Sequence, residues 1–138
     1  MKVKTLFVED ESRGVQPYFR VLEAKGFECV LANNGDEAIE KLAKDHFELV
    51  SMDVMFPSGK NLGGATASTK AGLKFLEMIR QGQIKKEISK IDVIVLTAVS
   101  DTEIEEQIKK LGVSVYLKKP IAYQKVIEAF CKLKNVPL

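Results

Sequence analysis

Cysteine is scarce in this sequence, and its two copies, Cys29 and Cys131, lie far apart with no CxxC spacing. That excludes a disulfide framework and a thiol-ligated metal site, and reads as two half-buried free thiols in a reducing compartment. Net charge is also small. A formal balance of +2 argues against a dedicated nucleic-acid-binding or membrane-binding domain, both of which carry a strong basic bias. Long apolar runs are missing, and none approaches the roughly 20 residues that a membrane helix needs. The opening stretch Met1–Val8 meets Glu9 too early to form a signal peptide, so a cytoplasmic protein is expected. Internal repeats and low-complexity segments are absent. Histidine occurs once, at His46.

The composition that remains suits one globular domain. A chain of 138 residues, 46% of them hydrophobic, can bury roughly two-thirds of the surface that its unfolded form exposes, so it needs no disulfide or structural metal. Two kinds of apolar pattern alternate along it. Short β-rich runs occur at Thr5–Val8, Cys29–Ala32, Leu49–Met52, Ile91–Leu96 and Val113–Leu117. Between them lie stretches with helical spacing, at about Pro17–Lys25, Asp36–Lys44, Ala71–Gln81, Thr102–Leu111 and Tyr123–Lys134. Gly26 and Gly112 close the first and fourth helices, and Asn33-Asn34-Gly35 marks the turn before the second. Pro17 lacks an amide donor and clashes with a preceding turn, so the first helix is expected to start near it or bend there. Five strands alternating with five helices imply a parallel sheet covered on both faces. The third, fourth and fifth strands read as buried on both faces. Ser58–Thr69 is rich in small and polar residues and has no helical stripe, so a long loop is expected between the third strand and third helix.

Ligands of open parallel sheets bind beyond the carboxyl ends of the strands. The first strand ends in Glu9-Asp10-Glu11, the third in Asp53, the fourth in Thr97-Ala98 and the fifth in Tyr116-Leu117-Lys118-Lys119-Pro120. Carboxylates, a hydroxyl and an ammonium therefore converge on one edge. Clustered carboxylates need a cation, and a hard divalent ion such as Mg²⁺ suits oxygen ligands. Lys119 can neutralise further charge, Thr97 can donate to a phosphoryl oxygen, and Asp53 can act as a nucleophile that forms an acyl phosphate. His46, between the second helix and third strand, lies away from this edge and reads as a surface residue. Lys85-Lys86, Lys109-Lys110 and Lys118 read as solvated charge.

The segments Leu6–Glu11, Leu49–Pro57, Leu96–Ala98 and Tyr116–Pro120, in this order and each at an expected strand end, resemble the receiver domain of two-component response regulators. The similarity runs from Lys4 to about Leu133. It implies a flavodoxin-like doubly wound α/β fold with a five-stranded parallel sheet in the order 2-1-3-4-5 and helices on both faces. It implies Asp53 as phosphoacceptor, Asp10 as a direct Mg²⁺ ligand, Glu9 as a ligand directly or through water, and the Met55 carbonyl as another. Lys119 would contact the phosphoryl group and join Pro120 through a cis peptide, and Thr97 and Tyr116 would form a switch pair. The implied partners are a histidine kinase or phosphotransfer protein and a downstream protein target. Nucleic acid and membrane would not be bound directly, and the protein would be a monomer or a phosphorylation-dependent dimer.

The expected unit is thus a single receiver over residues 1–138, with an extended loop at about 58–70. It would catalyse only its own phosphorylation and dephosphorylation. The loop is about a dozen residues longer than the family's usual connection, with Gly72-Leu73 resembling the helix start, and is expected to lid the site or form a partner surface. Met55 and Val99 are apolar where family side chains influence access of the attacking water, so a long-lived phosphoryl state is expected. No output domain follows before Leu138, which points to output by protein contact. The alternative is a module of the same fold that binds a partner without phosphorylation.

Overall fold

The computed structural model describes residues 2–9, 12–54, 56–59 and 64–138, the side chains of 12–14, 56–59 and 64–69 excepted. Five strands, β1 (Val3–Val8), β2 (Phe27–Ala32), β3 (Leu49–Met52), β6 (Asp92–Thr97) and β7 (Val115–Lys118), form one parallel sheet in the order β2-β1-β3-β6-β7. Counted among themselves these strands stand 2-1-3-4-5, the expected order. Helices α1 (Ser12–Ala24) and α5 (Tyr123–Leu133) cover one face, while α2 (Gly35–Lys44), α3 (Thr69–Arg80) and α4 (Thr102–Leu111) cover the other.

Two apolar layers follow. Val15, Leu22, Val126, Ile127, Phe130 and Cys131 close over Phe7, Phe27 and Ile94 on the α1/α5 side. Phe130 stacks on Phe7 at 5.7 Å between ring centroids and meets Phe27 edge-on at 6.0 Å. On the other side Ala38, Leu42, Phe75, Leu76, Ile79 and Ile108 pack on Leu6, Val8, Val50 and Val93. Phe75 is fully buried in this layer, while Ala24 and Ala43 face solvent. Every residue of β3 is buried, and so are all of β6 but its first. The fifth strand of the sheet departs from expectation in its burial alone. β7 is an edge strand and only half-buried, whereas β1 lies inside the sheet.

The first helix also differs. It begins at Ser12 and runs through Pro17. A proline inside a helix costs about 3 kcal/mol. Burial of Val15 and Leu22 offsets this, as do ties to α5: Tyr123 Oη donates to the Pro17 carbonyl at 2.9 Å, and Tyr123 stacks on Tyr18 at 5.2 Å. Tertiary packing here outweighs local preference.

The stretch expected as an irregular loop contains two strands. β4 (Phe56–Gly59) pairs antiparallel with β5 (Gly64–Ser68), in a register that sets Phe56 opposite Ser68 and Gly59 opposite Gly64. This ribbon is a separate two-stranded sheet, and β4 lies against α2 and α3. Helix α3 starts at Thr69, directly after it.

Both cysteines are free, Cys131 buried and Cys29 partly so. Burial, with the charge of Glu23, pushes the Cys29 thiol up to about 12, and burial raises Cys131 as well. Both are therefore protonated, poorly reactive thiols. Glycines 26 and 112 take positive φ, +108° and +90°, as helix-terminating positions require. Asn34 caps α2 by accepting from the Glu37 amide at 2.9 Å, while Glu37 accepts from the Asn33 amide at 3.0 Å.

At the edge of the sheet opposite the strands' carboxyl ends, Asp92 joins β6 to α5. It accepts from Lys134 Nζ at 2.7 Å and from Ser114 Oγ at 2.9 Å. Burial alone would raise its carboxyl pKa, but the hydrogen bonds from Lys134 and Ser114 win and hold it below the ordinary value. A depressed carboxyl adds stability above its unfolded value and loses it as pH falls through the folded one. Since Asp92 is more than one-third exposed, the gain is modest. Asp92→Asn is expected to cost about 0.5–1 kcal/mol at pH 7. In urea unfolding the gap between variant and wild type closes as pH falls below about 4. A gap that persists at pH 2 would mean that the effect is not electrostatic.

Candidate functional site

The parallel ladder continues one residue past several strand ends and carries the chemistry with it. The Glu9 amide donates to the Ala32 carbonyl at 3.0 Å, the Asp53 amide to the Val8 carbonyl at 3.3 Å, and the Lys119 amide to the Thr97 carbonyl at 2.8 Å. Because Val8 pairs with Met52 and Thr97 with Lys118, the residues just beyond these pairs emerge on one edge. Glu9, Asp53, Thr97 and Lys119 are brought together there, as the sequence suggests.

Asp53 is the centre. Thr97 Oγ1 donates to its Oδ1 at 2.8 Å, while Lys119 Nζ lies 3.6 Å from its Oδ2. The same ammonium stands 3.7 Å from Glu9 Oε2. Thr97 is fully buried and Glu9 is 6% exposed. Thr97 Oγ1 also accepts from the Val99 amide at 3.2 Å, which leaves its proton directed at Asp53. The peptide between Lys119 and Pro120 is cis. Among the described residues two carboxylates face one ammonium, the donor chemistry that a hard divalent cation fits. Asp10, Glu11 and Met55, the remaining expected acidic or metal-binding positions, lie outside the described residues.

The floor of the site is held by a close approach. The Gly72 amide donates to the Val54 carbonyl at 3.1 Å. A Cβ at Gly72 would come within 2.8 Å of the Val54 backbone carbon atoms and overlap its carbonyl oxygen. Only glycine lets α3 approach the residue next to Asp53 this closely. The sequence marks Gly72 near a helix start and gives no sign of this contact, which depends on how α3 packs.

Tyr116 is half-buried on β7, with Lys109 Nζ 5.3 Å from its ring centroid. Its hydroxyl is shielded from solvent and has no hydrogen-bond partner among the described residues. Such a group costs about 1–3 kcal/mol. Burial, then the negative charges of Glu105 and Asp53, raise its pKa. Lys109 and Lys118 are not simply solvated, since both pair with Glu105, at 2.7 and 2.9 Å. The one local signal for Glu105 in the sequence is its i,i+4 spacing to Lys109. His46 is exposed and borders a cleft of about 500 Å³ beside Asp92 and Lys134, at the opposite edge.

The model for the response regulator receiver domain matches residues 5–130. The polar-differentiation response regulator DivK of Brucella ovis is 27% identical over 128 residues, which cover 93% of each chain. Among solved structures, a signal receiver domain of a histidine kinase from Clostridium thermocellum superposes with a TM-score of 0.79 at 18% identity, covering 96% of this chain and 98% of that one. The receiver domain of a sensor histidine kinase from Pseudomonas aeruginosa, which has a magnesium ion coordinated in its active-site cleft, superposes with a TM-score of 0.72 at 19% identity, covering 96% and 97%.

Proposed function

Because the chain belongs to the response regulator receiver family of two-component signalling, we propose that it is a single receiver whose Asp53 accepts a phosphoryl group from a histidine kinase or phosphotransfer protein. A carboxylate oxygen of Asp53 attacks phosphorus, the bond from phosphorus to the donor breaks, and an acyl phosphate forms. One observation carries this reading: Thr97 and Lys119 address different oxygens of the same carboxylate, at 2.8 and 3.6 Å. Lys119 offsets charge on the phosphoryl oxygens, and the Thr97 hydroxyl can pass its hydrogen bond from Asp53 to one of them. Glu9 and Asp53, with Asp10 and the Met55 carbonyl, would hold Mg²⁺, which supplies further charge neutralisation when bound. The protein would act in the cytoplasm and pass the signal to a downstream protein, with Thr97 and Tyr116 as the switch pair.

Intact mass after incubation with acetyl phosphate tests this. A single phosphoryl adduct is expected with Mg²⁺, and none after chelation by EDTA. A folded protein that binds Mg²⁺ yet acquires no adduct would instead be a phosphorylation-independent interaction module.

A further inference from the structure

Glu105 divides its two carboxylate oxygens between two elements. Oε2 holds Lys109 Nζ at 2.7 Å, one turn along α4, and Oε1 holds Lys118 Nζ at 2.9 Å on β7. Lys118 follows Tyr116 by two residues, so both side chains leave the strand on the same face. Lys109 in turn lies over the Tyr116 ring. The three side chains therefore join α4 to β7 across the tyrosine. The far end of α4 is anchored separately. Arg80 of α3 donates through Nη2 to the Gly112 carbonyl at 2.7 Å, through Nε to the Leu111 carbonyl at 3.2 Å, and through Nη1 to the Ser89 carbonyl at 3.0 Å. One end of the helix is thus pinned by backbone contacts that contain no switch residue, and the other is tied by Glu105.

We infer that Glu105 is a positioning residue: through Lys109 and Lys118 it holds the Tyr116 ring in its inward place, with the hydroxyl shielded from solvent, before any phosphoryl group arrives. This rests on the reading of Thr97 and Tyr116 as the switch pair. The inward position is opposed by the shielded hydroxyl, which has no partner among the described residues. The ion pairs and the cation–ring contact work against that penalty. Removing one link is therefore expected to release the tyrosine outward. Phosphorylation then reinforces an arrangement that Glu105 already favours, and the position of Tyr116 depends more steeply on the acceptor when Glu105 is replaced.

The chain has three tyrosines, which makes fluorine NMR of the protein labelled with 3-fluorotyrosine direct, with the Tyr116 resonance assigned from Tyr116→Phe. Wild type, Glu105→Gln and Lys118→Met are compared by chemical shift and by titration of the Tyr116 phenol, with circular dichroism confirming that each variant is folded. In Glu105→Gln the resonance is expected to move toward that of an exposed ring, and the titration midpoint to fall toward the ordinary tyrosine value. Lys118→Met decides between positioning and direct electrostatics. Loss of a nearby cation by itself raises the midpoint of a fixed phenol, whereas release of the ring into water lowers it. A lowered midpoint and a shifted resonance in Lys118→Met support the inference. A raised midpoint with an unchanged resonance overturns it. These readouts need no phosphorylation, so a protein that takes no phosphoryl group but shows the shift contradicts only the acceptor reading.

Discussion

Asp53→Asn is expected to abolish the phosphoryl adduct while leaving the fold intact. Asparagine keeps the shape of the side chain and an oxygen able to accept from Thr97, so the contact now made at 2.8 Å can persist. It has no anionic oxygen with which to attack phosphorus. It also leaves Glu9 as the sole described carboxylate in ion-pair range of Lys119, where Glu9 and Asp53 now share that ammonium at 3.7 and 3.6 Å. Relief of like-charge repulsion is expected to make the variant as stable as wild type, or more stable by about 1 kcal/mol. Intact mass after acetyl phosphate and Mg²⁺, paired with urea unfolding at pH 7, measures both effects. An adduct on the asparagine variant would move the acceptor to another carboxylate. A loss of several kcal/mol would give Asp53 a structural role.

Gly72→Ala is expected to damage the fold and the site together. In an open helix the change from glycine to alanine gains about 1 kcal/mol. Here the new methyl group would overlap the Val54 carbonyl, which is backbone and cannot swing aside. Overpacking of this kind costs about 1–3 kcal/mol, and a lengthened Gly72–Val54 hydrogen bond adds about 1 kcal/mol. The net loss is about 2 kcal/mol, visible as a Tm lower by several degrees. Val54 follows Asp53 directly, so a displaced carbonyl also shifts the acceptor, and phosphorylation by acetyl phosphate is expected to slow even at temperatures where the variant is fully folded. An unchanged Tm would mean that α3 can withdraw from β3 at little cost.

Much of this site is legible in the residue order. Glu9, Asp53, Thr97 and Lys119 each follow or end a β-rich run, and in a parallel sheet the carboxyl ends of all strands share one edge. The run-and-turn pattern carries the placement of these residues, and their chemistry carries the reading of the site. The β4–β5 ribbon is not legible in this way. Gly59, Gly64 and the small residues after Gly64 disfavour strands locally, and their pairing reflects only what lies opposite. Nor does the sequence show that α1 continues through Pro17, since the compensating contacts come from Tyr123, 106 residues away along the chain.

By itself, then, the sequence determined the alternation of strand and helix, the order of the elements and the side chains that meet at the strand ends, because periodicity and residue chemistry are local properties. Tertiary structure alone decided that α1 continues through Pro17, that α3 closes on Val54 through Gly72, and that Glu105 ties α4 to β7 over Tyr116. Each of these depends on the distance and angle at which separate segments meet, and those are set by packing of the whole core.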